Sequence, residues 1–240
     1  MIWTVPRAWP GETVFILAGG PSLKSFDRNL LKGRRVITIN DSWRLMPWAD
    51  VHYFCDARWW QQQHARERYA HSGEAFRHVA ASDRWVTIAK VCESHQMVRV
   101  LKNTGQLGLE EDPAGLRTGN NSGFQAINLA YHYGVKRIVL LGYDMHVQGK
   151  VSHWHDEERS ANFQSHCERH FLPCFQSLVR PLAEAGVEVI NATPGSALTL
   201  WPHLPLEEAV KDPAKPVLKP VAGSEGVGVG CNYPLFPETV

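Results

Sequence analysis

The chain has 240 residues, 44% of them hydrophobic, enough for one α/β domain with a substantial core. Its formal net charge is +1, from 25 Lys and Arg against 24 Asp and Glu, without a long basic run; this disfavours duplex DNA as a partner but leaves room for a local basic patch. No window approaches the ~18 apolar residues of a membrane span, and no basic region followed by a long apolar stretch opens the chain, so neither a span nor a signal peptide is expected. Cysteines 55, 92, 167, 174 and 231 are odd in number and scattered, the pattern of reduced thiols in a cytoplasmic protein.

Residues 1–12 read as a polar, proline-interrupted lead-in. Thr13–Leu17 is a β-rich run, followed at once by Ala18-Gly19-Gly20-Pro21-Ser22-Leu23. This is strand, glycine turn and helix start, with Pro21 in the first turn. Converging N–H groups and the end of a helix suit a phosphate. An unliganded βα turn has the same local sequence, and the segment is neither a P-loop nor a G-x-G-x-x-G fingerprint. The second strand, Val36–Ile39, ends at Asn40-Asp41-Ser42-Trp43, a polar group that either faces a crevice or caps a helix. The third, Val51–Cys55, ends at Asp56, ahead of Trp59, Trp60 and a polar helical segment from Gln61 to Tyr69. Three successive strands therefore end in polar or glycine clusters, which points to a ligand crevice at their carboxyl ends.

Between residues 70 and 117, Trp85–Ala89 and Met97–Leu101 read as short strands, and Thr104–Arg117 as an acidic, glycine-rich loop. Such an insertion is either a cover for the site or a surface excursion.

The chain is organised around Asn120–His146. Ser122 is placed to cap a helix whose face carries Phe124, Ile127 and Tyr131, with Ala126 and Ala130 beside them, and Gly134 stops it. Ile138–Leu141 is apolar without alternation, as a parallel strand buried on both faces should be. It ends at Gly142-Tyr143-Asp144, which puts Asp144 and His146 where ligands bind in open α/β sheets. The loop from Gln148 to Asp156 follows, with His153 and His155 alternating so that one faces a ligand; histidine is the usual general base near neutral pH.

Ser160–Gly186 reads as one long helix or two, broken at Pro173. Cys167, His170 and Cys174 share a helical face, but zinc needs four ligands and one helix seldom supplies three, so they are read as core and no metal is expected. Val187–Ile190 is a further strand, ending at the polar stretch Asn191–Ser196. Leu206–Val210 is a short terminal helix. The expected organisation is one Rossmann-like domain over residues 1–210, a mostly parallel sheet flanked by helices, with an extended Pro/Gly-rich tail over 211–240.

Four segments in order, FILAGGPSLKSFD (15–27), VITINDSW (36–43), NNSGFQAINLAYHYGVKRIVLLGYDMH (120–146) and GVEVINATPGSALTLWP (186–202), resemble the bacterial sialyltransferases of glycosyltransferase family 42. Related phage-encoded proteins and the archaeal 6-hydroxymethylpterin pyrophosphokinase-like group share the likeness. The resemblance implies that Gly20, Pro21 and Ser22 hold the phosphate and ribose of a cytidine nucleotide, with Gly19 where the family has an asparagine. It implies donor contacts at Asn40 and along Asn121, Ser122 and Gly123, and it aligns Asp144 with the family's Gly-x-Asp strand end. The family's phosphate-binding tyrosines have no tyrosine counterpart; His146 and the His153/Trp154 region occupy that part of the chain. The base histidine falls on His153 or His155, in a shorter lid.

The activity implied is metal-independent transfer from a nucleotide sugar, a CMP-sugar-like co-substrate with no tightly bound cofactor, to a hydroxyl-bearing acceptor. For a phage-encoded protein that acceptor is a glycan or a modified nucleobase. The pyrophosphokinase relatives imply an alternative, Mg²⁺-dependent phosphotransfer with Asp56 and Asp144 as metal ligands. A third reading is a non-catalytic nucleotide-binding or structural phage protein. A homo-oligomer is compatible with all three.

Overall fold

The computed structural model describes residues 2–67, 84–90, 92, 97–147, 149, 151–155 and 162–211. The far end of the segment expected to run to Tyr69, the ends of the 148–156 loop, Ser160, Cys231 and the tail beyond Lys211 lie outside the described residues.

Seven parallel strands form one sheet, and helices flank it. The strands are β1 (Thr13–Leu17), β2 (Arg35–Ile39), β3 (Val51–Phe54), β4 (Trp85–Thr87), β5 (Val98–Val100), β8 (Arg137–Leu141) and β9 (Glu188–Asn191). Their spatial order is β5-β4-β3-β2-β1-β8-β9. This is the Rossmann-like α/β arrangement that the alternation of apolar runs and helical segments predicts, and its topological switch point lies between β1 and β8. Thr13 stands opposite Arg137 and Leu17 opposite Leu141, so the turns after the two strands emerge side by side.

Both faces of the central strands are buried. Val14 and Ile16 of β1, with Ile138 and Leu140 of β8, enter one core together with Phe124, Ile127 and Phe175. Phe15, Leu17, Val139 and Leu141 enter the other, with Leu23, Leu31, Met46 and Leu206. A period of two with apolar residues at both phases is why these strands read as unbroken hydrophobic runs. Aromatic residues of β3, β4 and the helix after β3 build a third cluster around Phe54, Trp60 and Trp85.

Helix α1 spans Ala57–Glu67 and α2 spans Ser122–His132. The sequence predicts α2 with one apolar face, capped by Ser122. Instead Asn121 caps it, its side chain accepting the Phe124 N–H, and every residue from Gly123 to His132 except Tyr131 is buried. The polar residues within it find partners inside the protein. Gln125 Nε2 donates to Thr118 O at 2.8 Å and its Oε1 accepts from Tyr53 Oη. Asn128 exchanges two 3.0 Å hydrogen bonds with the backbone of Glu110. Those bonds correct the expectation for Thr104–Arg117: the segment contains β7 (Gly115–Arg117), paired in parallel with β6 (Lys102–Gly105), and is latched to α2.

The segment after 160 also differs from expectation. α3 (Phe163–His166) passes through a π-helical turn at Cys167–Phe171 into α4 (Leu172–Glu184), so the irregularity precedes Pro173, which sits in the first turn of α4. α5 is the short helix Leu206–Ala209. The lead-in is not loose: Trp3 N donates to Val100 O at 2.8 Å, and Trp9 stacks on Tyr133 at 3.9 Å. Cys55, Cys92, Cys167 and Cys174 are free thiols. No helix among the described residues is long and apolar enough to cross a membrane.

Candidate functional site

A cavity of about 370 Å³ opens beyond the carboxyl ends of β1, β2 and β3. Gly19 lines it from the turn after β1, Asn40, Asp41 and Ser42 from the turn after β2, and Asp56, Arg58, Trp59 and Gln62 from the turn after β3 and the first turns of α1. His153 and His155 close it from the loop beyond β8. Strand-end clusters that are far apart in the chain thus converge because the parallel strands all end at one edge of the sheet.

Asn40 adopts a left-handed backbone conformation, φ 48°, which asparagine tolerates better than most side chains. Its Oδ1 is buried, with no hydrogen-bond donor among the described residues. Next to it, Asp41 is the electrostatic centre of the site. The residue is only 7% exposed, and its carboxylate meets Trp59 Nε1 at 2.8 Å, Arg44 Nη2 at 2.9 Å and Gln63 Nε2 at 3.4 Å. His155 Nε2 stands 3.7 Å from the same carboxylate, beyond hydrogen-bond range but placed to form an ion pair once the imidazole takes a proton. Asp56 shapes the helix entry, its Oδ1 accepting the Arg58 N–H at 2.8 Å.

The histidine loop is held down by its middle residue. Trp154 N donates to Gly19 O at 3.0 Å, and its indole Nε1 donates to Ser42 Oγ at 3.3 Å. Ser42 in turn donates to Ala18 O. These contacts bring both flanking imidazoles to the cavity, their ring centroids 5.5 Å apart. The sequence predicts that one histidine of the alternating pair faces a ligand; both line the cavity, because the loop turns at Trp154 instead of running extended. His153 Nδ1 lies 3.1 Å from Ser152 Oγ. Its ring packs so closely on Gly19 that a Cβ there would come 2.7 Å from His153 Cδ2. That contact gives a physical reason for glycine at a position where the resembling family has asparagine.

The turn after β1 is arranged differently from a phosphate cradle. It leads into a single 3-10 turn, Pro21–Lys24, not an α-helix. Gly20 N donates to Gly142 O at 2.9 Å. Ser22 N and Ser22 Oγ both donate to Asp144, at 3.1 Å and 2.8 Å. The donors expected for a nucleotide phosphate are therefore engaged within the protein, Gly20 N–H by a backbone carbonyl and the two Ser22 donors by the Asp144 carboxylate. Asp144 is 1% exposed; burial pushes its carboxyl above the ordinary range, opposed by the two hydrogen bonds from Ser22. Gly20 has no room for a side chain, since an added Cβ would overlap Asp144 Oδ2 and stand 2.6 Å from Gly142 O.

Other expected site residues lie away from the cavity lining. His146 Nε2 sits 3.0 Å from Gly195 O. Asn121 is spent on its cap, Ser122 Oγ lies 3.0 Å from Cys55 Sγ just behind Asp56, and Gly123 O accepts the Tyr143 hydroxyl at 3.0 Å. The polar strand end at Asn191 is a structural lock: Asn191 Nδ2 donates to Ser196 Oγ and Leu198 O, and its Oδ1 accepts the Thr193 N–H. Arg58, Trp59 and Gln62 were not anticipated. Their signal is the i, i+4 spacing of Arg58 and Gln62 on a helix that starts directly at a strand end. No group of three or more His, Cys, Asp or Glu side chains among the described residues is arranged to hold a metal ion.

No family model matches this chain, and no curated protein matches it by sequence. Its fold is similar to that of the MAf glycosyltransferase from Magnetospirillum magneticum AMB-1, with a TM-score of 0.58 at 12% identity. The match covers 86% of this chain and 35% of that one, so the chain spans about a third of that protein's length. A second structure, BdcA in complex with NADPH, matches at 16% identity over 77% of this chain and 70% of that one; its TM-score of 0.26 is too low to argue a shared architecture.

Proposed function

We propose that this chain is a nucleotide-sugar-dependent glycosyltransferase, sialyltransferase-like in donor class, working from the cavity beyond β1, β2 and β3. The observation that carries the reading is the convergence there of two histidines, the Asp41 carboxylate and the buried Asn40 Oδ1, which has no hydrogen-bond donor among the described residues. Bonds form and break at the activated sugar carbon. The acceptor oxygen attacks it, the carbon–oxygen bond to phosphate breaks, and the nucleotide departs with the electron pair.

His155 takes the acceptor proton, and Asp41 balances the imidazolium that results. Arg58, the cation in the lining, faces the charge that develops on the leaving phosphate, with His153 beside it. Those roles pass to Arg58 and His153 because the Gly20 and Ser22 donors are occupied. Asn40 Oδ1 accepts from a ribose hydroxyl or a base amino group. The reaction needs no metal, and the acceptor is a hydroxyl on a glycan or a modified nucleobase. The phosphotransferase alternative assigns Mg²⁺ to Asp56 and Asp144; it is disfavoured because the Asp144 carboxylate is already bonded twice by Ser22.

A thermal-shift screen tests this reading. CMP, CMP-sialic acid, UDP- and GDP-sugars and ATP are each added with and without Mg²⁺. A ligand that binds the native state raises the melting temperature by mass action. Stabilisation by a sugar nucleotide without metal, weakened in Asn40→Ala, is the expected result. A response to ATP that needs Mg²⁺ selects phosphotransfer instead. A folded sample that responds to none of them excludes both enzymes and leaves a structural role.

A further inference from the structure

We infer that Phe163 and Gln164 of α3 position the histidine loop, and that the π-helical turn between α3 and α4 sets the angle at which they meet it. Both helices precede β9 in a parallel sheet, so the chain enters α3 beside the carboxyl edge of the strands, where the cavity lies. Phe163 packs its ring on His153, with centroids 5.2 Å apart and planes at 60°. Gln164 Oε1 accepts the Val147 N–H at 3.0 Å, and its Nε2 donates to Glu168 Oε1 at 2.6 Å, which fixes the amide. One helical turn thus holds the loop at its start and at one of its two histidines, while Trp154 holds it to Gly19 and Ser42. The catalytic consequence rests on the glycosyl-transfer reading; the mechanical one does not.

The cause of the wide turn lies in the sequence. Pro173 has no N–H for the Arg169 carbonyl four residues back, and in a regular α-helix its ring would clash with that carbonyl. The chain widens directly before it: the Leu172 N–H bonds Cys167 O, five residues back. At the exit of the turn the Cys174 thiol donates to His170 O at 3.1 Å. Asn120 Nδ2 lies 3.7 Å from the same sulfur, which ties the exit to the residues that lead into α2.

The turn controls the phase of α3. α4 is anchored in the core through Phe175, Leu178 and Leu182, with the Phe175 ring 5.8 Å from that of Phe124. Absorbing one residue in a π turn rotates the preceding helix by about 100° relative to an unbroken α-helix. An unbroken helix through the same residues would therefore swing Phe163 and Gln164 off the loop. Neither residue lines the cavity, so each acts through the loop as a positioning residue. The stakes are high for a catalytic imidazole, since a misplacement of about 1 Å can cost about 10²-fold in rate.

The test uses the full-length protein with isotope-labelled tryptophan and histidine. The Trp154 indole N–H line and the His155 imidazole line report the loop, each assigned as the NMR resonance lost in Trp154→Phe or His155→Asn. Gln164→Leu and Phe163→Ala, checked for parental melting, are expected to move both lines and to lower kcat about tenfold with donor KM unchanged. Phe163→Leu keeps the apolar bulk and should recover most of the loss; with Gln164→Leu it carries the test if Phe163→Ala does not fold. Pro173→Ala, which lets the helix close, should move the same two lines. If the parent turns over no sugar nucleotide, the transferase reading fails, and the two lines still decide the positioning. Lines that stay in place in both Gln164→Leu and Phe163→Ala, or a loss carried by KM alone, overturn the assignment of the two residues. Lines in Pro173→Ala identical to the parent's overturn the part given to the turn.

Discussion

Ser22→Ala separates two accounts of the turn after β1. In the resembling sialyltransferases the aligned serine belongs to the nucleotide site; here its hydroxyl donates to Asp144 at 2.8 Å, and the acceptor is 1% exposed. Removing the hydroxyl takes one charge-assisted hydrogen bond from a carboxylate that is buried from solvent and keeps the Ser22 N–H at 3.1 Å. A hydrogen bond to a charged group contributes about 1.5–3 kcal/mol, so Ser22→Ala should lower stability by about that amount at neutral pH. For a domain of this size each kcal/mol moves the melting temperature by about 2–4 °C, which predicts a fall of about 3–12 °C.

The loss should also depend on pH. Burial already raises the Asp144 carboxyl, and the Ser22 bonds oppose that rise. An acid whose pKa is raised on folding favours the folded state below its unfolded pKa and loses that contribution as pH rises through the folded value. Without the hydroxyl the rise is larger, so the deficit of Ser22→Ala is full above the folded pKa and fades in acid, where Asp144 is protonated in both proteins. Urea unfolding at neutral and acidic pH measures both effects. A variant with the parental unfolding midpoint at neutral pH but weakened nucleotide binding would refute the internal clamp and restore the phosphate assignment.

Three further outcomes follow from the same geometry. Gly20→Ala drives a methyl group into Asp144 Oδ2 and to 2.6 Å from a backbone oxygen that cannot move aside, so it should destabilise by about 2 kcal/mol or more in urea unfolding; an unchanged midpoint contradicts the close approach. If His155 is the base, His155→Asn should lower kcat by about 10²–10⁴ with little change in donor KM. Asp41→Asn should cause a smaller loss and move the acid limb of the pH–rate profile; equal activity in both variants removes the assigned roles. Burial lowers the His52 pKa from 6.5 to about 4, with Arg84 adding to the shift. The folded protein therefore keeps this histidine neutral, and stability present above pH 6.5 is lost as pH falls towards 4, by about 3 kcal/mol. His52→Gln should flatten that part of the unfolding free energy against pH, and an identical slope in the variant would count against a buried neutral His52.

Much of the fold was legible in the residues because the signals are short in range. Thr13–Leu17, Val36–Ile39 and Ile138–Leu141 announce strands buried on both faces by their unbroken apolar character, and Gly134 announces a helix end, with φ 85° in the structure. Asn121 and Ser122 show where such reading stops. Both are good cap residues, and choosing between them depends on where the preceding turn leaves the chain. The segment from 102 to 117 carries no periodic pattern, since its pairing and its latch to Asn128 depend on contacts with residues outside it.

The sequence by itself determined the material of the site: polar clusters after consecutive strands, and two histidines two residues apart. Tertiary structure decided which of them meet. Asp144 lies 122 residues from Ser22, yet the β1–β8 register sets their two turns side by side, and the carboxylate takes the donors a ligand would have used. Asp41 meets Arg44 three residues on by local spacing, but it draws Trp59, Gln63 and His155 from distant parts of the chain, and no local spacing encodes that meeting. The reason is physical: periodicity and propensity act between near neighbours, whereas a hydrogen bond across a sheet edge is settled by strand order and register, which the whole core selects together.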